Sequence, residues 1–264
     1  LSTIDLPCHM LWNVTDTEHP GYDAERHARV GDPIGRAYEE ADRHLGRVID
    51  AIGTETPLMI ISDHGFAPFH RKFNPNRWLV DHGYMTLKPG VDTGREAFLD
   101  VDWTNTVAYA IGFQSIYLNL RGREIDGVVR AEQAADLLTE IAGGLEAVVD
   151  EGTGRKAIRR AARATDIYAG AHVAEAPDLL IGYESGFAGS DMGALGAAPA
   201  ALFEDNLSAW SGNHLMDPSV VPGVLLTNLP AKHEDPSLVD VAPTILDFFD
   251  LPPSPEMVGR SILK

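Results

Sequence analysis

Three short stretches of this chain carry carboxylate and imidazole groups at spacings suited to holding a metal ion. Asp5 and His9 stand four residues apart in DLPCH, Asp63 and His64 are adjacent in IISDHGF, and His214 lies in WSGNH. Aspartate oxygen with histidine nitrogen is a donor set for zinc and for its neighbours manganese and iron. Divalent ions held this way can polarise a phosphoryl oxygen, activate an attacking hydroxyl and take charge from a leaving alkoxide. Each stretch has an ordinary reading as well. A D-x-x-x-H spacing arises by chance, Asp-His-Gly forms turns, and a lone loop histidine is usually just hydrogen-bonded. The combination is what points to a metal centre.

Strands and helices must bring these groups together. In open α/β sheets, functional groups collect beyond the carboxyl ends of the strands. LSTID reads as a short strand ending on Asp5, and PLMIIS as a buried strand ending on Asp63 and His64. VPGVLLTN is a further core strand, with His214 just ahead of it. Between the first two lies the clearest helix. Ile34, Ala37, Tyr38, Ala41, Leu45, Val48, Ile49 and Ile52 follow the helical period. Asp32 is placed as its N-cap, Pro33 as its first residue and Gly53 as its stop. Strand, helix, strand at this spacing predicts a parallel βαβ unit.

NPNRWLVDHG repeats the same punctuation in a short helix, with Asn74 as cap and Gly83 at the end. From residue 84 to about 166 the pattern changes. TVAYAIGFQSIYLNLRG reads as strands with turns and RAEQAADLLTEIAGGL as a helix, together an α+β insertion packed on the main sheet. APDLLIGY is another core strand, and PSLVDVAPTILDFFDL closes the chain with an amphipathic helix. SGFAGSDMGALGAAPAA is rich in small residues and reads as a mobile loop.

The chain has 264 residues with 44% hydrophobic and 23% charged, enough for one large α/β domain. Its net charge of -18 argues against a basic surface for duplex nucleic acid. A bound divalent ion still lets an acidic protein take an anion. One ion pair at 4 Å is worth on the order of 4 kcal/mol at an effective dielectric near 20, whereas diffuse surface charge is screened over about 8 Å. The single cysteine, Cys8, rules out an internal disulfide and a cysteine-rich zinc module; it reads as a small packing residue. No apolar run is long enough to span a membrane. The chain opens on Leu1 inside what reads as a strand, so the natural protein is expected to extend upstream, and the sequence assigns no compartment.

The sequence resembles the type I phosphodiesterase/nucleotide pyrophosphatase branch of the alkaline phosphatase superfamily over nearly its whole length. The resemblance is carried by DLPCH, AYEEADRHLGRVIDAIG, IISDHGF, NRWLVDHGYM, AYAIGFQSIYLNLRGRE, APDLLIGY, WSGNH, VPGVLLTN and DVAPTILDFFDLP. GFQSIYLNLRGRE points to a bacterial or archaeal subgroup. The resemblance implies an alkaline phosphatase-like fold, a mostly parallel sheet flanked by helices, and hydrolysis of a small phosphate ester or nucleotide. It also implies two zinc ions. Asp5, His9 and His214 match the ligands of one, and Asp63 and His64 match ligands of the other. The family's remaining aspartate ligand and its threonine or serine nucleophile match nothing here and are expected upstream of Leu1. Ser2, Thr3 and Ser62 lie near the motifs but not at the nucleophile's position. The subgroup's usual GDH is GNH here, so Asn213 keeps a hydrogen-bonding group but loses a charge that would act on the imidazole.

Among the remaining histidines, His70 in PFHRKF is a candidate substrate contact. His82 suits a helix C-terminus, and His44 sits off the apolar stripe of its helix. The enzymatic alternatives are a phosphomonoesterase, a phosphonate hydrolase or a phosphomutase with the same DHG strand end; a sulfatase is disfavoured by the D-x-x-x-H element. A binding protein that keeps the fold without catalysis is the reading from another class.

Overall fold

The computed structural model describes residues 4–263, and its first element is a helix. α1 (Asp5–Thr15) begins at Asp5, so Asp5 opens a helix and does not end a strand. Leu1, Ser2 and Thr3 of the expected strand lie outside the described residues. Putting Asp5 and His9 on one helix has a direct consequence. Residues four apart project from the same face, one turn above the other. The polar stretch that follows holds a second short helix, α2 (Ala24–Val30), whose Asp23 side chain accepts from the backbone of Glu25 and Arg26.

α3 (Pro33–Ile52) matches the reading of its sequence. Asp32 caps it by accepting from Gly35 N–H at 2.9 Å, and Gly53 ends it with φ of 76°, a conformation that glycine takes without strain. β1 (Met59–Ser62) follows. β2 (Ala67–Phe73) then leads into α4 (Pro75–Asp81). Next come β3 (Ala108–Ala110), β4 (Ser115–Leu118) and α5 (Ala131–Glu146). β5 (Val149–Asp150), β6 (Arg155–Lys156), β7 (Ile158–Arg163) and α6 (Ala164–Ile167) continue the chain. β8 (Leu179–Tyr183), β9 (Gly186–Gly189), α7 (Asp191–Ala194), β10 (Phe203–Asp205) and β11 (Gly212–Asn213) precede β12 (Val224–Thr227) and α8 (Val241–Phe248).

Two compact units divide these elements. One consists of the residues up to Ala37 with Phe66–Val221; the other is Tyr38–Gly65 with the chain from Pro222 onward. In the first, β2 takes β10 and β11 antiparallel and β9 parallel. A second sheet runs in the order β3-β4-β8-β7, all antiparallel. Its strand β8 alternates as a half-buried strand should, with Leu179, Ile181 and Tyr183 in the core. α5 packs against β7 and adds Ile141 and Leu145 to the same core. In the other unit, β1 and β12 form a two-stranded antiparallel ribbon, Met59 opposite Thr227 and Ser62 opposite Val224.

Several expectations are corrected here. Among the described strands only β2 and β9 pair in parallel, so the mostly parallel sheet and the parallel βαβ unit are not what these strands form. The element before α3 is helical, which leaves β1 no parallel partner among the described residues. Nor is β1 fully buried: Ile61 is 47% exposed, because a two-stranded ribbon cannot cover both faces of an apolar strand. The stretch read as a mobile loop is also ordered. Gly186–Gly189 is a buried strand and Asp191–Ala194 a helical turn capped by Ser190. Its small residues let β9 lie close against neighbouring backbone; a Cβ on Gly189 would stand 2.3 Å from the Phe113 carbonyl oxygen.

Candidate metal centre

The side chains of Asp5, His9 and His214 converge. One ligand atom from each lies within 4.8 Å of the others. Asp5 and His9 come from successive turns of α1, and their nearest atoms, Oδ1 and Nε2, are 3.9 Å apart. His214 arrives on the chain leaving β11. The His9 and His214 rings are tilted at 55° with centroids 5.1 Å apart.

Backbone bonds hold α1 to β11. Ser211 N–H donates to the His9 carbonyl at 2.6 Å, and Ser211 Oγ accepts from Asn13 N–H at 3.1 Å. Those two backbone groups are the ones that pair with each other in a regular helix. Ser211 therefore engages both ends of one helical rung beneath His9. The next residue, Gly212, gives its carbonyl to His9 Nδ1 at 2.9 Å. A carbonyl only accepts, so Nδ1 carries the proton and the lone pair of the neutral ring sits on Nε2, on the Asp5 side. Only glycine fits there: a Cβ on residue 212 would lie 2.2 Å from the Cys8 oxygen and 2.7 Å from the Trp12 ring.

Aromatic rings fix the two imidazoles. Phe66 meets His9 edge-on at 4.7 Å and His214 edge-on at 5.2 Å. Trp210 stacks on His9 with centroids 3.8 Å apart and planes 28° apart. His9 is 4% exposed, whereas the Asp5 side chain is 48% exposed. Ligands of a tetrahedral ion at about 2.1 Å lie ~3.4 Å from one another. The exposed Asp5 carboxylate is the group with room to turn inward by that difference. By donor chemistry, tautomer and orienting carbonyl, the three residues fit a divalent cation.

Asp63 and His64 belong to the other compact unit, at the end of β1. His64 repeats the arrangement of His9. Its Nδ1 donates to the Gly65 carbonyl at 3.1 Å, which again places the lone pair on Nε2, 3.7 Å from Asp63 Oδ2. Ser62 Oγ donates to the His64 carbonyl and closes the turn, so this hydroxyl has a structural partner.

The other sequence candidates have defined places. His70 is buried on β2, with Nε2 at 2.6 Å from Asp16 Oδ2. His82 ends α4, donating Nδ1–H to the Trp78 carbonyl at 2.8 Å and stacking on that ring. His44 pairs with Glu40 one turn back. Cys8 is buried in the core. Asn74 sits at the N-cap position of α4, but its amide bonds Ala201 and Glu204. Asn213 Oδ1 accepts from the backbone N–H groups of His214 and Leu215 at 2.8 and 3.0 Å. It shapes the turn that presents His214. Sequence reasoning did not single out Phe66, Trp210, Ser211 or Gly212, although each lies within a motif it used.

A family model described as type I phosphodiesterase / nucleotide pyrophosphatase matches residues 8–192.

Proposed function

Because the chain belongs to the type I phosphodiesterase/nucleotide pyrophosphatase family, we propose that it hydrolyses phosphodiester or nucleotide pyrophosphate bonds with the help of divalent ions, zinc foremost. The observation that carries this reading is the meeting of Asp5, His9 and His214, with His9 Nδ1 locked on the Gly212 carbonyl. In this reading those three hold one ion, and Asp63 with His64 are ligands of a second. Bound ions would supply charge to the phosphoryl oxygens and acidify the attacking hydroxyl.

The chain's own residues have narrower tasks. Gly212 and Gly65 set the histidine tautomers, Phe66 packs edge-on against both His9 and His214, and Asn213 fixes the backbone at His214. The attacking threonine or serine is proposed to come from a segment outside residues 1–264. Ser62 and Ser211, the hydroxyls beside the motifs, are engaged by the His64 and His9 carbonyls. His70, whose Nε2 pairs with Asp16, is given no substrate role in this reading.

The test is hydrolysis of bis(p-nitrophenyl) phosphate and of p-nitrophenyl phosphate by the full natural chain with zinc, manganese or iron supplied. The diester should be the better substrate, and His9→Ala or His214→Ala should lower kcat/KM at least a hundredfold. Equal activity in those variants, or turnover of the monoester alone, would reject the assignment.

A further inference from the structure

Arg159 and Arg160 are neighbours on β7, yet both face outward. Successive residues of a regular strand alternate between faces. Here the register of β7 against β8 slips: Ile158 pairs with Tyr183 and Arg160 with Gly182, so Arg159 is an extra residue. Such a bulge re-aims the side chains it carries. Ile158 and Ala161 on either side are buried, while the two arginine side chains are 50% and 54% exposed.

Asp217 meets both guanidinium groups. It is 5% exposed, and its Oδ1 accepts from Ser219 N–H at 3.0 Å and from Ser219 Oγ at 2.6 Å. Arg160 Nε stands 3.3 Å from Oδ2, and Arg159 Nε 4.0 Å from Oδ1. Gly182 leaves room for this carboxylate against β8, since a Cβ there would lie 2.6 Å from Oδ2. Each arginine thus approaches Asp217 through Nε, and its terminal nitrogens are left over. Arg159 gives Nη1 to the Glu184 carboxylate at 3.2 and 3.3 Å. The Nη groups of Arg160 make no hydrogen bond among the described residues. Burying Asp217 requires one cationic partner; the bulge supplies two, with donors to spare.

With Pro218 and Ser219 these side chains line an open cleft of about 520 Å³, all of it within the first compact unit. We propose that the cleft binds a phosphate group, gripped by the spare N–H donors of Arg160 and Arg159. A guanidinium presents paired donors to an oxyanion. A tetrahedral phosphate has oxygens enough for both arginines at once, whereas a planar carboxylate is filled by one fork. Ser219 adds no donor, because Asp217 takes its hydroxyl and its N–H. Asp217 and Glu184 balance the two arginine charges, so selection comes from directed hydrogen bonds. The net charge of -18 favours a small phosphate over a long polyanion. Nothing in this site draws on Asp5, His9 or His214 as metal ligands.

The test titrates inorganic phosphate and glycerol 3-phosphate into the full natural chain by calorimetry at constant ionic strength. The protein is stripped of metal by a chelator and kept below its melting temperature, so that no bound ion takes part. Protection of individual arginines from phenylglyoxal, read by peptide mass spectrometry, is the second measurement. The wild type should bind at least one of the two ligands, and that ligand should shield Arg159 and Arg160 where chloride does not. Arg160→Gln should weaken binding at least about tenfold, Arg159→Gln by less, and Arg160→Lys should keep part of the affinity. Tighter binding of inorganic phosphate assigns the cleft to the free anion, and tighter binding of glycerol 3-phosphate to an ester; equal affinity means that the phosphate group alone is read. Affinity unchanged when both arginines are replaced by glutamine overturns the proposal. So does shielding by chloride equal to that by phosphate, or metal-free wild-type protein that binds neither ligand. Should Arg160→Gln fail to fold, the shielding pattern of the wild type decides, and phosphate that leaves both arginines reactive rejects the site.

Discussion

His9 and Gly212, 203 positions apart, are joined by one hydrogen bond of 2.9 Å from the imidazole Nδ1 to the glycine carbonyl. That bond does two things. It orients the ring, and it decides which nitrogen keeps a lone pair. It needs backbone contact between α1 and β11 closer than any side chain at residue 212 allows.

Gly212→Ala should therefore push β11 off α1 and misplace His9. A Cβ at 2.2 Å from the Cys8 oxygen is relieved only by backbone movement. The expected result is a lowered melting temperature and a zinc affinity weaker by about 10- to 100-fold. Calorimetric titration with zinc checks it, and wild-type affinity in the variant would contradict the orienting role.

Metal removal should cost stability by linkage. An ion that binds only the folded state at 100 times its Kd stabilises by about 2.7 kcal/mol. Stripping the protein with a chelator should lower Tm, and zinc should restore it. In His214→Ala the zinc-dependent shift should shrink sharply. A shift as large as the wild type's would place the ion elsewhere.

Much of this was legible before the structure, and the failures have physical causes. α3 was readable because its cap, its proline, its apolar period and its terminal glycine agree. α1 was not, because the sequence reading placed Asp5 at the end of a strand, and periodicity cannot settle so short a run. The ligand types in DLPCH, DHG and GNH were evident from chemistry alone. What holds them was not. Ser211 acts through its backbone and its hydroxyl, Gly212 through its carbonyl, and Phe66 and Trp210 through their rings, all across long sequence separations where no local spacing reports a contact. The glycine-rich stretch after Ser185 imitated a loop because close backbone packing and flexibility call for the same small residues.

Asp150→Asn should be among the most destabilising single-atom changes in the first unit. Asp150 is 2% exposed and takes Arg71 in a two-point grip, Nε at 2.9 Å and Nη2 at 3.1 Å. Thr153 Oγ1 and Gly152 N–H also donate to it. Burial alone would raise its pKa, but Arg71, Thr153 and Gly152 together hold it below the usual carboxylate value. Removing the charge leaves Arg71 with Asp205 as its remaining carboxylate partner and weakens its two bonds to residue 150, at a cost of about 2 kcal/mol. Urea denaturation measures it, and a loss under about 1 kcal/mol would show the pair to be dispensable.

Acid should destabilise the protein through His19. Burial, and then the neighbouring His70, lower its pKa from the ordinary 6.5. The hydrogen bonds give the reason in structural terms. Nε2–H donates to the Phe69 carbonyl at 3.0 Å, while Nδ1 accepts from Gly21 N–H at 3.0 Å. A second proton on Nδ1 would break the bond to Gly21. In the unfolded chain the ring takes that proton near pH 6.5, so below this pH the unfolded state binds more protons than the folded one. Stability then falls as pH drops. The contribution of His19 is fully present above about pH 6.5 and is lost as pH falls toward the lowered folded value. His19→Gln keeps an amide donor and acceptor but does not titrate. The difference in melting temperature between wild type and this variant, followed from pH 8 to pH 5, should be flat above pH 7 and should narrow steadily below it. A difference that stays constant to pH 5 would mean that His19 takes up its proton as easily in the folded protein as in the unfolded chain.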